Sequence, residues 1–280
     1  LSPDIRPILN DWPFEPNDVT VRIVTAGDGV ELLQMRLDLG LLQMELSGRP
    51  DGARIQNHES LLDLHRTLQK RQEEEGPEDA PPYLLEPEDC AALMREGAQY
   101  YHRYVGFWKL GRYELCARDT ERNLRLFDFV REHARHDRDK MQFDQWLPYV
   151  AMMHARAVAT PLASMKQFTA AIGAIDAGIR RIEQFLAEYN REAQADQVNE
   201  LLFLKRWRRE IAALAEEDAP AAQLALARIE QEIEEPEDPI QTLKRELDEA
   251  IAAERYEDAA GLRDEIQRLE DPPPPGAGLG

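Results

Sequence analysis

Cysteine is scarce: Cys90 and Cys116 are the chain's 2 cysteines in 280 residues. They form no CxxC and no paired framework, so neither a zinc finger nor a disulfide scaffold is expected, and both read as small buried residues of helices. Long apolar runs are absent too. No stretch reaches the roughly 18 apolar residues of a membrane-crossing helix. The opening LSPDIRPILNDWPFEP is acidic and broken by prolines, which is not the pattern of a secretory signal. A soluble, cytoplasmic chain without membrane contact is expected. Positive charge is in deficit, with 34 Lys and Arg against 54 Asp and Glu for a net −20. Binding a phosphate backbone depends on Lys and Arg displacing counterions, so direct contact with nucleic acid is disfavoured. Catalytic signatures are missing as well: no GxxxxGK[ST], no strand-placed GxGxxG, no GxSxG, no HExxH and no Cys-His pair at family spacing. The sequence therefore predicts no enzyme, no cofactor and no metal.

What is there is a 43% hydrophobic chain, long enough for one to three domains of ~100–200 residues each. The first fifty residues read as strands. Val19, Val21 and Ile23 alternate with polar residues, and Gly27-Asp28-Gly29 supplies a tight turn. The return run sets Leu33, Met35, Leu37 and Leu39 on one face and Gln34, Arg36 and Asp38 on the other. After Gly40 the alternation resumes in a new phase with Leu42, Met44 and Leu46, which suggests a bulge or bend into a third strand. An amphipathic helix over Glu59–Gln72 is expected to cover this sheet. Residues 1–70 then form a small β module with its covering helix. The charged, proline-rich stretch at 71–89 reads as a flexible linker, with Pro87, Glu88 and Asp89 opening the next helix.

From residue 90 to 235 the pattern is helical, with breaks expected near Gly111, at Gln145–Pro148, around Pro161, near Asn190 and at Ala219-Pro220. Two turns share one logic. Around Gly111 and again around Lys166, an aromatic (Tyr113, Phe168) plugs the wedge between antiparallel helices, and an alanine (Ala117, Ala171) lets their backbones approach. The expected class is mainly α with a small N-terminal antiparallel β module, an α+β chain of repeat-like helical hairpins. These turns resemble the mid-repeat turn of tetratricopeptide repeats. The aromatics are 55 residues apart rather than one repeat of about 34. A generic antiparallel bundle, without a repeat, stays open beside that reading.

A third turn, at Tyr256, belongs to a longer pattern. Residues 239–270, PIQTLKRELDEAIAAERYEDAAGLRDEIQRLE, carry Leu243, Leu247, Ala250 and Ala253, then Tyr256, Glu257, Ala259, Ala260, Leu262, Arg263, Asp264, Ile266 and Leu269. This order resembles the UVR motif, the short helical hairpin shared by the excision-nuclease subunits UvrB and UvrC and found in regulators of the Clp protease system. Its stripes, Leu243-Leu247-Ala250-Ile251 and Ala259-Leu262-Ile266-Leu269, bury too little surface for stability alone, since a short hairpin is marginal. It therefore needs a second hairpin or a host. Arg263 and Asp264 read either as a charge-assisted network at that interface or as a solvated salt bridge. Residues 271–280, with four prolines and a glycine-rich end, read as a disordered tail. Charge gathers here: 19 acidic and 6 basic residues lie between Glu216 and Asp271. The N-terminal run from Arg36 to Gly52 and the middle segments around Tyr100–Tyr104 and Arg118–Leu124 resemble uncharacterised bacterial proteins that contain a UvrB/UvrC motif. That resemblance implies no activity.

Two further groups could carry recognition. Arg118, Arg122 and Asn123, with Trp146 as a bordering aromatic, could line a peptide groove on the helical surface, or the charges could tie adjacent helices together. His133 and His136, with Asp137 and Asp139, have the spacing of a weak metal site. The interleaved arginines Arg131, Arg135 and Arg138 favour a solvated charged helix end instead. His102 and His154 are expected to line a core. The sequence thus points to a protein–protein adaptor that docks through the UVR hairpin on a partner's UVR-like hairpin or basic helical surface, or on a second copy as a homodimer. The alternatives are an accessory factor of excision repair acting by contact with UvrB or UvrC, and an adaptor of a Clp protease or protein-arginine-kinase system.

Overall fold

Alternating apolar and polar residues become a three-stranded antiparallel sheet in the computed structural model, which describes residues 4–16, 18–77 and 81–216. Helix α1 (Arg6–Asp11) precedes strands β1 (Val21–Thr25), β2 (Glu31–Leu37) and β3 (Gly40–Glu45). Gly29, at φ 85°, lets the first turn close. The expected bend at Gly40 is a two-residue hairpin turn, Asp38-Leu39, closed by the Leu37–Gly40 pair. Residues opposite one another share a face, and the register sets Ile23 against Leu33, Leu33 against Met44 and Met35 against both Val21 and Leu42. That apolar face rests on α3 (Pro87–Lys109).

Two expectations about the sheet are corrected. Leu33 and Met35 are buried, but Leu37 and Leu39 sit exposed at the turn, beyond the reach of α3. The polar face is covered. Arg22 donates to Gln34 and Gln34 to Gln43, the Arg22 guanidinium lies 4.1 Å over the Trp12 ring, and Arg36 Nε donates to the Trp12 carbonyl at 2.7 Å. The helix expected to cover the sheet, α2 (Leu61–Glu75), packs on α3 instead. It starts at Ser60, whose hydroxyl accepts the Asp63 N–H.

The stretch expected as a flexible linker is also corrected where it is described, at 71–77 and 81–89. Arg71–Glu75 extend α2, and Tyr83–Leu85 form a packed strap. Leu85 is fully buried; its N–H donates to the His133 carbonyl at 2.8 Å, and its carbonyl accepts the Arg135 N–H at 3.1 Å. Tyr83 shares a 2.7 Å hydrogen bond with His65 Nδ1, and its ring meets Phe129 and His133. The acids and prolines dominate the composition, yet one aromatic and a leucine suffice to fasten the segment. Pro87 then opens α3, with Glu86 and Asp89 capping each other's backbone.

Helices α4 (Tyr113–His133), α5 (Asp137–Asp144), α6 (Leu147–Ser164), α7 (Phe168–Glu188) and α8 (Asn199–Glu216) follow, with a 3-10 turn at Glu192–Gln197. Three helix ends are built alike. Gly111, Lys166 and Asn190 all take positive φ (67°, 59° and 52°). The next residue's N–H returns to the carbonyl five residues back: Arg112 to Phe107, Gln167 to Leu162 and Arg191 to Leu186. This is the Schellman closure, which satisfies carbonyls a helix end leaves open. The breaks expected near Gly111, Gln145 and Asn190 are present. The one expected around Pro161 is displaced, because α6 runs through the proline to Ser164. A further break falls at Ala134–His136, at the helix end read from the interleaved arginines, where the Leu85 strap pairs. Tyr113 meets Trp108 edge to face at 5.1 Å, and Ala171 is fully buried, as the turn logic requires. Close approach is most severe at Gly178, where a Cβ would lie 2.7 Å from that of Ala155 and 3.1 Å from Leu204.

The chain divides into two compact units, Leu1–Ala222 and Gln223–Gly280. Every described residue lies in the first. The fold is mainly α with one small antiparallel sheet. Among the described residues no helix is long and apolar enough to cross a membrane. The Tyr256 turn, the hairpin at 239–270, the break at Ala219-Pro220 and the tail at 271–280 lie outside the described residues.

Candidate functional site

The polar residues expected at a groove sit on α4, where they face α3 and the sheet. Glu96 of α3 is completely buried, and its carboxylate is the hub of one cluster. It accepts the backbone N–H of Leu61 at 2.7 Å and of Leu62 at 3.3 Å, and it pairs with Arg122; Arg49 approaches to 3.5 Å. A negative charge at the first turn of α2 is where the helix dipole favours it. Arg122 also lies 4.1 Å over the Tyr100 ring and donates to Asn123, whose amide donates to the Gly97 carbonyl at 3.0 Å. Burial lowers the pKa of the Arg122 guanidinium, with Glu96 pulling the other way.

One turn earlier lies a second cluster. Arg103 and Asp119, each 1% exposed, form a two-pronged pair at 2.6 and 3.0 Å. Arg103 also donates to the Glu45 carbonyl and Arg118 to the Leu46 carbonyl, both at 2.9 Å, so the pair clamps the end of β3 to both helices. Arg118 adds a 2.9 Å bond to Asp119 and alone keeps substantial exposure.

These positions correct the groove expectation. Arg122 and Asn123 are buried and tie α4 to α3, because the carboxylate and carbonyl they need lie one helix away. Arg118 is committed to Asp119 and the β3 end. Trp146 is half-buried at the start of α6, and among the described residues no hydrogen bond or ring contact joins it to the three polar residues. Of the two readings, the helix-tying one describes both: Arg122 through its ion pair with Glu96 and Asn123 through its hydrogen bond to the Gly97 carbonyl. The tie residues sequence reasoning did not single out are Glu96 and Arg103. Their only signal was a carboxylate and a guanidinium on the apolar stripe of α3, seven residues apart.

The histidine pair divides. His133 closes α4, buried against Tyr83 and Phe129, while His136 is exposed at the cap of α5. Among the described residues, no three His, Cys, Asp or Glu side chains gather to hold a metal. His154 is half-buried and shares bonds with Thr120 (3.1 Å) and the Ala117 carbonyl (3.2 Å); burial lowers its pKa. His102 stays half-exposed, bonded to the Ala98 carbonyl at 2.7 Å. Cys90 and Cys116 are free and buried, as expected, and burial pushes the Cys90 thiol up to about 12.

The hairpin positions from Leu243 to Leu269 lie outside the described residues. They are reached by comparison with known families. No curated protein and no solved structure matches the chain. One family model does, the UvrB/uvrC motif, over residues 237–271. The chain therefore carries a UVR motif in its C-terminal part.

Proposed function

We propose that this chain is a non-enzymatic protein–protein interaction adaptor of the bacterial cytoplasm, acting through its C-terminal UVR hairpin. The observation that carries this reading is the UvrB/uvrC motif match at residues 237–271. The partner is a protein with a UVR-like hairpin or a basic helical surface, or a second copy of this chain. Charge supports a basic partner, since Glu216–Asp271 holds 19 acidic and 6 basic residues; association of that kind weakens as salt screens it. The repeat-like character of the helical unit, tetratricopeptide-like in outline, rests on the like-built turns at Gly111 and Lys166. Two free, buried thiols fit a reducing compartment.

Substituting Leu262→Asp and Ile266→Asp together in the full chain tests this reading. Both change the apolar stripe of the motif. Affinity capture and light scattering should show loss of the specific partner or of self-association. An unchanged partner set with an unchanged oligomeric state would overturn the proposal. A second reading, an accessory factor that contacts UvrB or UvrC in excision repair, is favoured only by the description of the matching family. Direct binding of purified UvrB or UvrC, lost in the same double variant, would select it.

A further inference from the structure

Arg156 is the single charged residue of α6, LPYVAMMHARAVATPLAS. It is 3% exposed, yet no carboxylate pairs with it among the described residues. Its Nη1 contacts the Met153 sulfur at 3.4 Å, whereas Nε and Nη2 have no hydrogen-bond partner. Those two atoms form one side of the guanidinium fork, the side that meets a carboxylate with two parallel bonds. Elsewhere in this protein the same Nε/Nη2 side is filled that way: in Arg103 by Asp119, in Arg131 by Asp144, in Arg135 by Glu86 and in Arg208 by Asp176. Arg156 departs from this pattern although it is among the most deeply buried of the arginines.

Aromatic rings enclose it. Trp108 lies 4.2 Å and Phe203 5.3 Å from the guanidinium carbon, which supplies cation–π attraction but no acceptor in the plane of the fork. Tyr149, two turns earlier on the same face of α6, has a buried hydroxyl that is likewise without a partner. Burial lowers the Arg156 pKa to about 10, which leaves it charged at neutral pH. A single guanidinium at the base suits a monoanion better than a phosphate dianion; Arg206, 5.9 Å from the Phe203 ring, is a further cation at the walls. Trp108, Tyr149 and Phe203 are each only half-buried, so the rings over the arginine also border solvent.

We propose that Arg156 is the base of an aromatic-walled site, formed by Trp108, Tyr149 and Phe203, that binds a carboxylate side chain of an acidic polypeptide. The carboxylate takes the two-pronged Nε/Nη2 side, the Tyr149 hydroxyl is a third donor, and the rings pack on the aliphatic stem. One ring must swing aside for entry. The site is independent of the UVR hairpin, so loss of the adaptor reading leaves it standing.

The test uses the full chain and capped hexaglutamate, beside capped hexaglutamine as its amide control. Calorimetry and thermal melting should show that the acidic peptide binds and raises the melting temperature, an effect weakened by salt, while the amide control does neither. Arg156→Lys keeps the charge but loses the two-pronged side, and should weaken binding by about tenfold or more. Arg156→Met should abolish it with an unchanged far-ultraviolet spectrum. If Arg156→Met does not fold, Arg156→Lys decides alone. No response of the wild-type chain to the acidic peptide would overturn the proposal, because the arginine then meets only water. An equal response in either variant would overturn it as well.

Discussion

Two buried arginines, Arg103 and Arg156, have opposite surroundings. Arg103 on α3 is held by Asp119 and two cation–π rings, and it reaches the Glu45 carbonyl. Arg156 on α6 has rings around it but no carboxylate and no carbonyl. Desolvation acts against both. In the first, geometry returns that cost through a full set of charge-assisted bonds. In the second, cation–π contact and one weak bond to the Met153 sulfur do so. A satisfied buried pair is structural; an arginine with its carboxylate side unmet is one whose removal should not harm the fold.

The strongest way to break this contrast is Arg103→Met. It leaves Asp119 buried beside a half-exposed Arg118, and removing one partner of a buried pair costs about 3–5 kcal/mol. Urea denaturation should show that loss. Next comes Gly178→Ala. The new methyl would stand 2.7 Å from the Ala155 Cβ, so α6 and α7 must separate, at a cost of about 1–3 kcal/mol in the same assay. That shift also loosens the helix that carries Arg156, so the acidic peptide should bind more weakly.

A smaller effect tests the α2 side of the paired region. Burial lowers the pKa of His65 below its ordinary 6.5, with Asp89 and Glu96 opposing. The unfolded chain then takes up a proton that the folded chain resists. Stability from this group is present above pH 6.5 and declines as pH falls through 6.5 toward the depressed folded value. His65→Gln should flatten that part of the stability–pH curve, read from denaturation midpoints between pH 7.5 and 5. The smallest expected change is Arg156→Met. It trades cation–π contact for relief of two unpartnered nitrogens, and should leave stability within about 1 kcal/mol of the parent, or raise it. A loss as large as that of Arg103→Met would erase the contrast.

Much of the fold was legible because it depends on local chemistry. Period-2 alternation and the Gly27–Gly29 turn specify the first hairpin. Gly111 marks a helix end because a left-handed residue is needed there. Pro87 with its acids marks a helix start. Lys166 gave a weaker signal, since a lysine at positive φ is accepted only because the closure on Leu162 demands it. The candidate groove was misread for a different reason. Arg122 and Asn123 look like surface polar residues on a helix, and nothing nearby in the chain says that Glu96 and Gly97, 26 residues earlier, will meet them. Tyr83 and Leu85 were hidden by the acids and prolines around them. Arg156 did carry a signal, a lone charge in an apolar helix, though not the signal that its carboxylate side would go unmet.

Determined by the sequence itself were the helical and strand periods, the turns, the acidic C-terminal charge and the UVR motif order from Leu243 to Leu269. Each is set by residues within a few positions of one another, or by composition, and needs no knowledge of what lies across the fold. The tertiary structure decided which charges are buried and with whom. Glu96 joins α2 to α4, Arg103 and Asp119 clamp the sheet, and the acid-rich strap docks on His133. Those choices depend on which helix packs against which, and the free energy of a charge depends steeply on whether a partner stands within hydrogen-bond reach once water is gone.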